Sequence, residues 1–182
     1  MVAKILQAEA TQESTRPAVT SLQEMAETIQ MDSLQYAHTK FTQPMRAAGF
    51  EEVLQRHDFI SYFKLGMAQR IANTLAAHDD QVREIHYFDP NLSSDSEIEA
   101  YAPLDPSVNL LVVVESKSAA LDSFIAALDM ALTQEARKLP SPLFASLTSI
   151  LNAMIITEGD VDQKRGYAAL LSSMYLKPLQ VW

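Results

Sequence analysis

The pattern of apolar and polar positions predicts a strand followed by a helix in the middle of the chain. Asn109 precedes five consecutive apolar residues, two Leu and three Val. A run of this kind is typical of a strand buried on both faces. Over residues 118–138, apolar positions recur three and four residues apart, and Pro140 follows. That spacing predicts an amphipathic helix, and we expect the strand before it to be the centre of a sheet.

Further elements are predicted on both sides of this unit. Residues 82–88 and 150–156 have the composition of strands, and residues 96–102 alternate polar and apolar positions as a half-buried strand does. Helices are predicted over 58–78 and 160–175. Strands that alternate with helices in this order predict an α/β (α+β) fold with a mixed sheet flanked by helices.

The chain divides into three parts by the same criteria. Residues 1–20 are polar and aperiodic, which indicates an arm. Residues 21–57 have helical patterning and form a predicted helical extension, and residues 58–182 form the α/β domain. The C-terminal residues 177–182 are predicted to be extended, with the terminal Val-Trp docked because an exposed indole forgoes much burial energy.

Three short helices are predicted in the extension. Ser21 and Glu24 have the spacing of a capping box, Asp32 is a candidate cap for a second helix, and Pro44 can open a third. Helices this short do not persist alone in water. We therefore expect the extension to pack on its own domain or on a partner.

Composition limits the range of functions. The 182 residues are 48% hydrophobic and 20% charged, which indicates one folded core. With 23 acidic and 14 basic side chains the net charge is −9, which opposes binding to a phosphate backbone, so no nucleic-acid partner is expected. The chain has no cysteine and therefore no disulfide or thiolate zinc site. It has no apolar run long enough for a membrane span, and we expect a cytoplasmic protein.

Several kinds of site lack their sequence signature. The four glycines are scattered, so they form neither a P-loop nor a dinucleotide-binding fingerprint. No serine lies in a Gly-x-Ser-x-Gly elbow. The four histidines do not have metal-ligand spacing.

The stretch from Asp79 to Asp105 is strongly acidic, with eight carboxylates and Arg83 as its one basic residue. Such a run is typical of a solvated sheet edge. An alternative is that some of these carboxylates converge with Glu115 on a divalent cation, because hard cations take several oxygen ligands.

The order of elements over residues 58–182 resembles the nucleotidyltransferase superfamily. In that family a Gly-Ser pair follows the first strand, and two aspartates one residue apart open the second. Here the Gly-Ser positions fall on Asp89 and Pro90, the aspartate pair falls on Ser107 and Asn109, and Asn152 stands where a third aspartate is expected. The resemblance implies a fold of this kind without the carboxylates that two-metal nucleotidyl transfer requires.

A second resemblance is to the PD-(D/E)XK nuclease family. Glu115-Ser-Lys117, after the central run, resembles its acid-x-Lys motif, and Glu99 or Asp105 would stand for its first acid. This resemblance implies a site in which two carboxylates hold Mg²⁺ and the ammonium of Lys117 orients water.

The first resemblance leads to a non-catalytic, nucleotidyltransferase-like module for binding or assembly, without a metal or cofactor and with a protein partner or self-association. The alternatives are a Mg-dependent nuclease using Glu115, Lys117 and Glu99 or Asp105, and a small-ligand site at the carboxyl ends of the strands. The candidate ligand-binding residues are Asp89, Ser107 and Asn109.

Overall fold

The computed structural model describes residues 21–41, 49–89, 104–173 and 178–182. Its α-helices are α1 (Leu22–Lys40), α2 (Phe50–Val53), α3 (His57–His78), α4 (Ala119–Ala136), α5 (Pro142–Ala145) and α6 (Glu158–Asp162). A 3-10 helix follows over Gly166–Ser172. The strands are β1 (Val82–Phe88), β2 (Val108–Val114), β3 (Leu151–Thr157) and β4 (Leu179–Gln180).

The four strands form one mixed sheet in the order β3-β2-β1-β4. Strand β1 is antiparallel to β2 and β4, whereas β2 and β3 are parallel and joined through α4. All seven residues of β2 are buried, so the predicted central strand and its two neighbours are confirmed, as is the mixed sheet flanked by helices. The strand predicted over 96–102 lies outside the described residues.

The two faces of the sheet are covered unequally. Even-numbered positions of β2, together with Ile85 and Tyr87 of β1, join a large core with α1, α3 and α4. Odd-numbered positions Leu111 and Val113 join a smaller cluster with Phe88, Ile156 and Ala168 of the 3-10 helix. A side chain's place in the strand alternation therefore determines which of two separate layers it enters.

The N-terminal helical segment differs from the expected series of short helices. Helix α1 runs unbroken for 19 residues, with Asp32 in its middle, so the cap expected at Asp32 is wrong. No Pro or Gly interrupts it. The capping box at its start is confirmed: Glu24 N–H donates to Ser21 Oγ at 3.2 Å, and Ser21 N–H donates to the Glu24 carboxylate at 2.9 Å. Ala26 and Ile29 belong to the large core, so α1 packs on the sheet domain.

In place of the single C-terminal helix expected over 160–175, the structure has the short helix α6 and then the 3-10 helix over Gly166–Ser172. Thr157 caps the short α6, and Asp160 completes that cap rather than starting a helix. Hydrogen bonds from the Thr157 backbone N–H and hydroxyl lower the pKa of the Asp160 carboxyl. Lys164 and Gly166 then have positive φ angles of 51° and 52°, which end the α-helix before the 3-10 turn.

The C-terminal end is held to β1 through its backbone. Val181 N–H donates to Ile85 O at 2.9 Å, and Ile85 N–H donates to Trp182 O at 3.1 Å. The Val181 side chain packs against the large core, whereas Trp182 remains 41% exposed. Within the described part of the chain, no helix combines the length and apolar character needed to cross a bilayer.

Gly66 lies at a close contact between α3 and α1. A Cβ atom at this position would lie 3.1 Å from Tyr36 Cδ1 and 3.2 Å from Ser33 Cα. The second of these atoms is backbone, so it cannot move without the helix. The absence of a side chain at Gly66 therefore sets the distance between α1 and α3.

We expect Gly66→Ala to lower the free energy of unfolding by about 1 to 3 kcal/mol, because the added methyl group overpacks the α1–α3 contact. Gly159→Ala is the matched control, since a Cβ there meets only Thr157 Oγ1 at 3.8 Å. Urea unfolding followed by circular dichroism measures both. Equal stability of the two variants would contradict the close contact.

Candidate functional site

A buried ion pair lies at the carboxyl end of β1. Lys64 Nζ is 2.5 Å from Asp89 Oδ2, and the two side chains are only 2% and 4% exposed. The Tyr87 hydroxyl donates to the same carboxylate oxygen at 3.1 Å. Removing two charges from water costs several kcal/mol per ion, so a buried pair is weak evidence of a role in stability. It is a candidate functional site.

Two elements bring these groups together. Helix α3 carries Lys64 within its buried face, next to Phe63 and one turn before Met67 and Ala68. Strand β1 ends at Phe88, and Asp89 follows it on the same side as Tyr87 because strand residues alternate between faces. Lys64 therefore meets the carboxylate between the helix layer and the sheet.

Tyr87 is fixed as a hydrogen-bond donor. Burial, and then the negative charge of Asp89 and the hydrogen bond to it, raise the pKa of Tyr87 far above its ordinary value. The phenol therefore keeps its proton at any physiological pH. The Asp89 carboxylate is thus contacted by a charged donor, the Lys64 ammonium of α3, and by a neutral donor, the Tyr87 hydroxyl of β1.

A cleft of about 260 Å³ opens beside this cluster, between α3 and the β1–β4 edge of the sheet. Most of the described residues that line it are aromatic or aliphatic, and Asp89 is the one charged residue among them. The described lining residues are Ser61, Tyr62, Leu65, Tyr87, Phe88, Asp89 and Leu179. An apolar pocket with a few convergent polar groups is the usual form of a small-ligand site.

A second polar group lies on the other face of the sheet. Asn109 and Asn152 are register partners on the parallel strands β2 and β3, and Asn152 Nδ2 donates to Asn109 Oδ1 at 3.2 Å. Asp105 accepts hydrogen bonds from the Ser107 backbone N–H, at 2.9 Å, and from the Ser107 hydroxyl. These side chains form local turn and cross-strand contacts.

The structure places the three ligand-binding candidates at one end of the sheet but does not join them in one site. Phe88 pairs with Asn109, so Asp89, Ser107 and Asn109 are neighbours along the ladder. Asp89 contacts Lys64 of α3 on one face, whereas Asn109 is on the face of the smaller cluster. The sheet itself separates them.

The carboxylates of the nuclease alternative are distributed along β2. Glu115 follows the strand and forms an exposed ion pair with Arg83, and Lys117 is exposed. Asp105 precedes the same strand, so at roughly 3.3 Å per residue it lies some 20 Å or more from Glu115. Asp105 and Glu115 therefore cannot bind one ion. Glu99, the other choice for the first acid, lies outside the described residues.

Metal-binding geometry does not occur among the residues that the structure describes, where no three His, Asp or Glu side chains are grouped closely enough to hold an ion. Comparison with protein-family models, with curated proteins and with solved structures finds no match to this chain. The assignment of a function therefore depends on the geometry of the side chains.

Sequence reasoning named Asp89 but missed its partners Lys64 and Tyr87. A signal for Lys64 was present: it occupies a position between Phe63 and Met67 on the apolar face of the predicted helix 58–78. A charged residue within such a face needs a buried partner. Tyr87 carried no comparable signal, because a tyrosine in a strand is ordinary.

We expect Lys64→Met to lower the free energy of unfolding by about 3 to 5 kcal/mol, because it leaves the Asp89 charge buried without its cation. The double variant Lys64→Met/Asp89→Asn removes both charges and should recover about 2 kcal/mol or more of that loss. Urea unfolding of Lys64→Met, of Asp89→Asn and of the double variant gives a double-mutant cycle for the pair. Strictly additive effects would show that the pair is not coupled.

Tyr87 should also affect stability at high pH. Above the ordinary tyrosine pKa of about 10 the unfolded chain releases this proton while the folded chain keeps it, so stability falls by up to about 1.4 kcal/mol per pH unit. Below about pH 10 the raised pKa of Tyr87 does not make the free energy of unfolding depend on pH. We expect the stability difference between wild type and Tyr87→Phe to narrow between about pH 10 and pH 11. A constant difference in urea unfolding across this range would contradict the buried phenol.

Proposed function

We propose that the protein is a non-catalytic binding module whose ligand site is the cleft between α3 and the β1–β4 edge. The observation that carries this proposal is the buried Lys64–Asp89 pair, because Asp89 is also one of the residues that line the cleft. A fold that keeps a costly ion pair at the wall of an apolar pocket gains a fixed polar anchor there. The site lies at the carboxyl end of β1, which is the amino end of the antiparallel strand β2.

The likeness to a nucleotidyltransferase sheet remains part of the proposal. Its support is the placement of Asn109 and Asn152 side by side, at positions where that family has aspartates. Together with Ser107 these side chains are neutral and supply none of the anionic charge that catalytic Mg²⁺ ions need. We therefore propose binding without nucleotidyl transfer and without a metal cofactor.

The nuclease alternative has less support from the geometry. Its Glu115 is paired with Arg83 on the surface, and Asp105 lies at the other end of β2. We propose a cytoplasmic protein that does not bind nucleic acid, because its net charge of −9 repels phosphate backbones. We also propose that the protein binds a protein partner or associates with itself.

The chemistry of the cleft selects a neutral ligand that carries a ring and a hydrogen-bond donor. The negative charge of Asp89 is already balanced by Lys64, so a cationic ligand would leave the buried site with a net positive charge. An anion would in the same way leave the buried site with a net negative charge. Aromatic and aliphatic walls from Tyr62, Leu65 and Leu179 favour a flat apolar body.

Three probes that share one ring test this preference: benzamide, benzylamine and benzoate. We expect benzamide to bind in the millimolar range and to shift the methyl NMR signals of Leu65 and Leu179, while the two charged probes bind more weakly. The double variant Lys64→Met/Asp89→Asn should weaken benzamide binding about five- to tenfold, because the charged acceptor is lost.

Arg83→Gln is the matched control, since it breaks an exposed ion pair at the other end of β1 and should leave benzamide binding unchanged. The proposal is contradicted if benzamide shifts neither leucine. It is also contradicted if the double variant binds benzamide as well as wild type, or if benzoate binds best.

A further inference from the structure

Strand β3 is one of the two outer strands of the sheet within the described residues, and the backbone groups on its free edge can be assigned residue by residue. Val108 N–H donates to Ile150 O at 2.8 Å, so residue 150 points its carbonyl toward β2. Because backbone groups alternate along a strand, residues 152, 154 and 156 also face β2. Residues 151, 153, 155 and 157 then direct their N–H and C=O groups to the free edge.

Carboxylates occupy both ends of this edge. Asp129 Oδ1 accepts from Leu151 N–H at 2.8 Å, and Asp160 Oδ2 accepts from Thr157 N–H at 3.0 Å. In the described structure this leaves a central window in which Ala153 and Ile155 have edge-facing N–H groups without such a cap. The uncapped window is three residues long and centred on Met154.

The window lacks the usual protection of an edge strand. Natural edges carry charges, prolines or bulges that prevent pairing with another chain. From Leu151 to Thr157 the strand has no ionisable side chain and no proline, and Ala153, Met154 and Ile155 are each partly exposed. An uncharged apolar window with open backbone groups is a surface for strand addition.

We propose that this window binds the same window of a second copy of the chain, antiparallel, with a two-fold axis through Met154. In that register Ala153 of each copy lies opposite Ile155 of the other, and each of the two pairs exchanges two backbone hydrogen bonds. All four edge-facing N–H and C=O groups nearest the axis then gain a partner. The sheets of the two copies become one eight-stranded sheet.

A second copy fits the window better than an unrelated strand. A two-fold interface requires a surface that is complementary to itself, and only the antiparallel arrangement of identical strands satisfies this condition. The uncharged strand brings no like charges to the axis. Residue 151, whose N–H is capped by Asp129, lies opposite residue 157 of the second copy, whose N–H is capped by Asp160. The two carboxylates therefore approach each other at each end of the interface, and their repulsion confines the pairing to the window.

These flanking carboxylates predict how the dimer responds to salt. Raising ionic strength from about 50 mM to about 500 mM screens their repulsion and that between two chains of net charge −9. We expect sedimentation equilibrium of the full chain, at protein concentrations up to about 1 mM, to show a dimer whose dissociation constant falls as salt rises. This test does not depend on the ligand site.

Two variants locate the interface. Ala153→Pro removes a backbone N–H that faces the free edge. Proline is tolerated at such a position of an edge strand, so the monomer should stay folded, whereas the dimer should be weakened at least about tenfold. Met154→Glu places two like charges at the axis and should abolish it. Mixing Met154→Glu with Met154→Lys should restore a dimer containing one copy of each, because residue 154 then meets the opposite charge.

Circular dichroism melting verifies that each variant is folded before its association is measured. A wild-type chain that stays monomeric at the highest concentration and salt overturns the proposal. So does a dimer that both Ala153→Pro and Met154→Glu leave intact. A Glu–Lys mixture that remains monomeric overturns the two-fold register through Met154, and with it the proposed interface.

Discussion

Complete burial of β2 is the constraint on which the rest of the fold depends. All seven of its residues are buried, so both faces of the sheet must be covered. Helices α3 and α4 cover one face with a large core, and α6 with the 3-10 helix covers part of the other. Helix α1 joins the large core by packing on α3 and α4.

The same layering isolates the candidate site. Because Asp89 follows Tyr87 on the helix-covered side of β1, its carboxylate lies where α3 excludes water. A charge buried in such a layer requires a partner of opposite charge, and Lys64 is the partner of Asp89. The asparagine pair lies on the other side of the sheet, where it forms an ordinary cross-strand hydrogen bond. Only the first arrangement combines a charge with an adjoining apolar cleft.

The local patterns in the sequence were sufficient for much of the fold. A Val-rich run with helical spacing after it predicts β2 and α4 within one or two residues, because burial on both faces and amphipathicity are local signals. The breaks at Lys164 and Gly166 were missed since a positive φ angle depends on the surrounding packing. Lys64 illustrates the limit for the site. Its place on the apolar face of α3 indicates that it needs a buried partner, but that partner, Asp89, lies 25 residues later in the chain and outside the helix.

We propose that the Lys64–Asp89 pair anchors a ligand in the cleft beside α3. A crystal structure of the full chain grown with benzamide would show this contact. We expect the benzamide ring against Tyr62 and Leu179, with its amide nitrogen within hydrogen-bond distance of the Asp89 carboxylate and Lys64 still in contact with that carboxylate. Benzamide bound only at another place, or a Lys64 ammonium turned out to solvent away from Asp89, would contradict it.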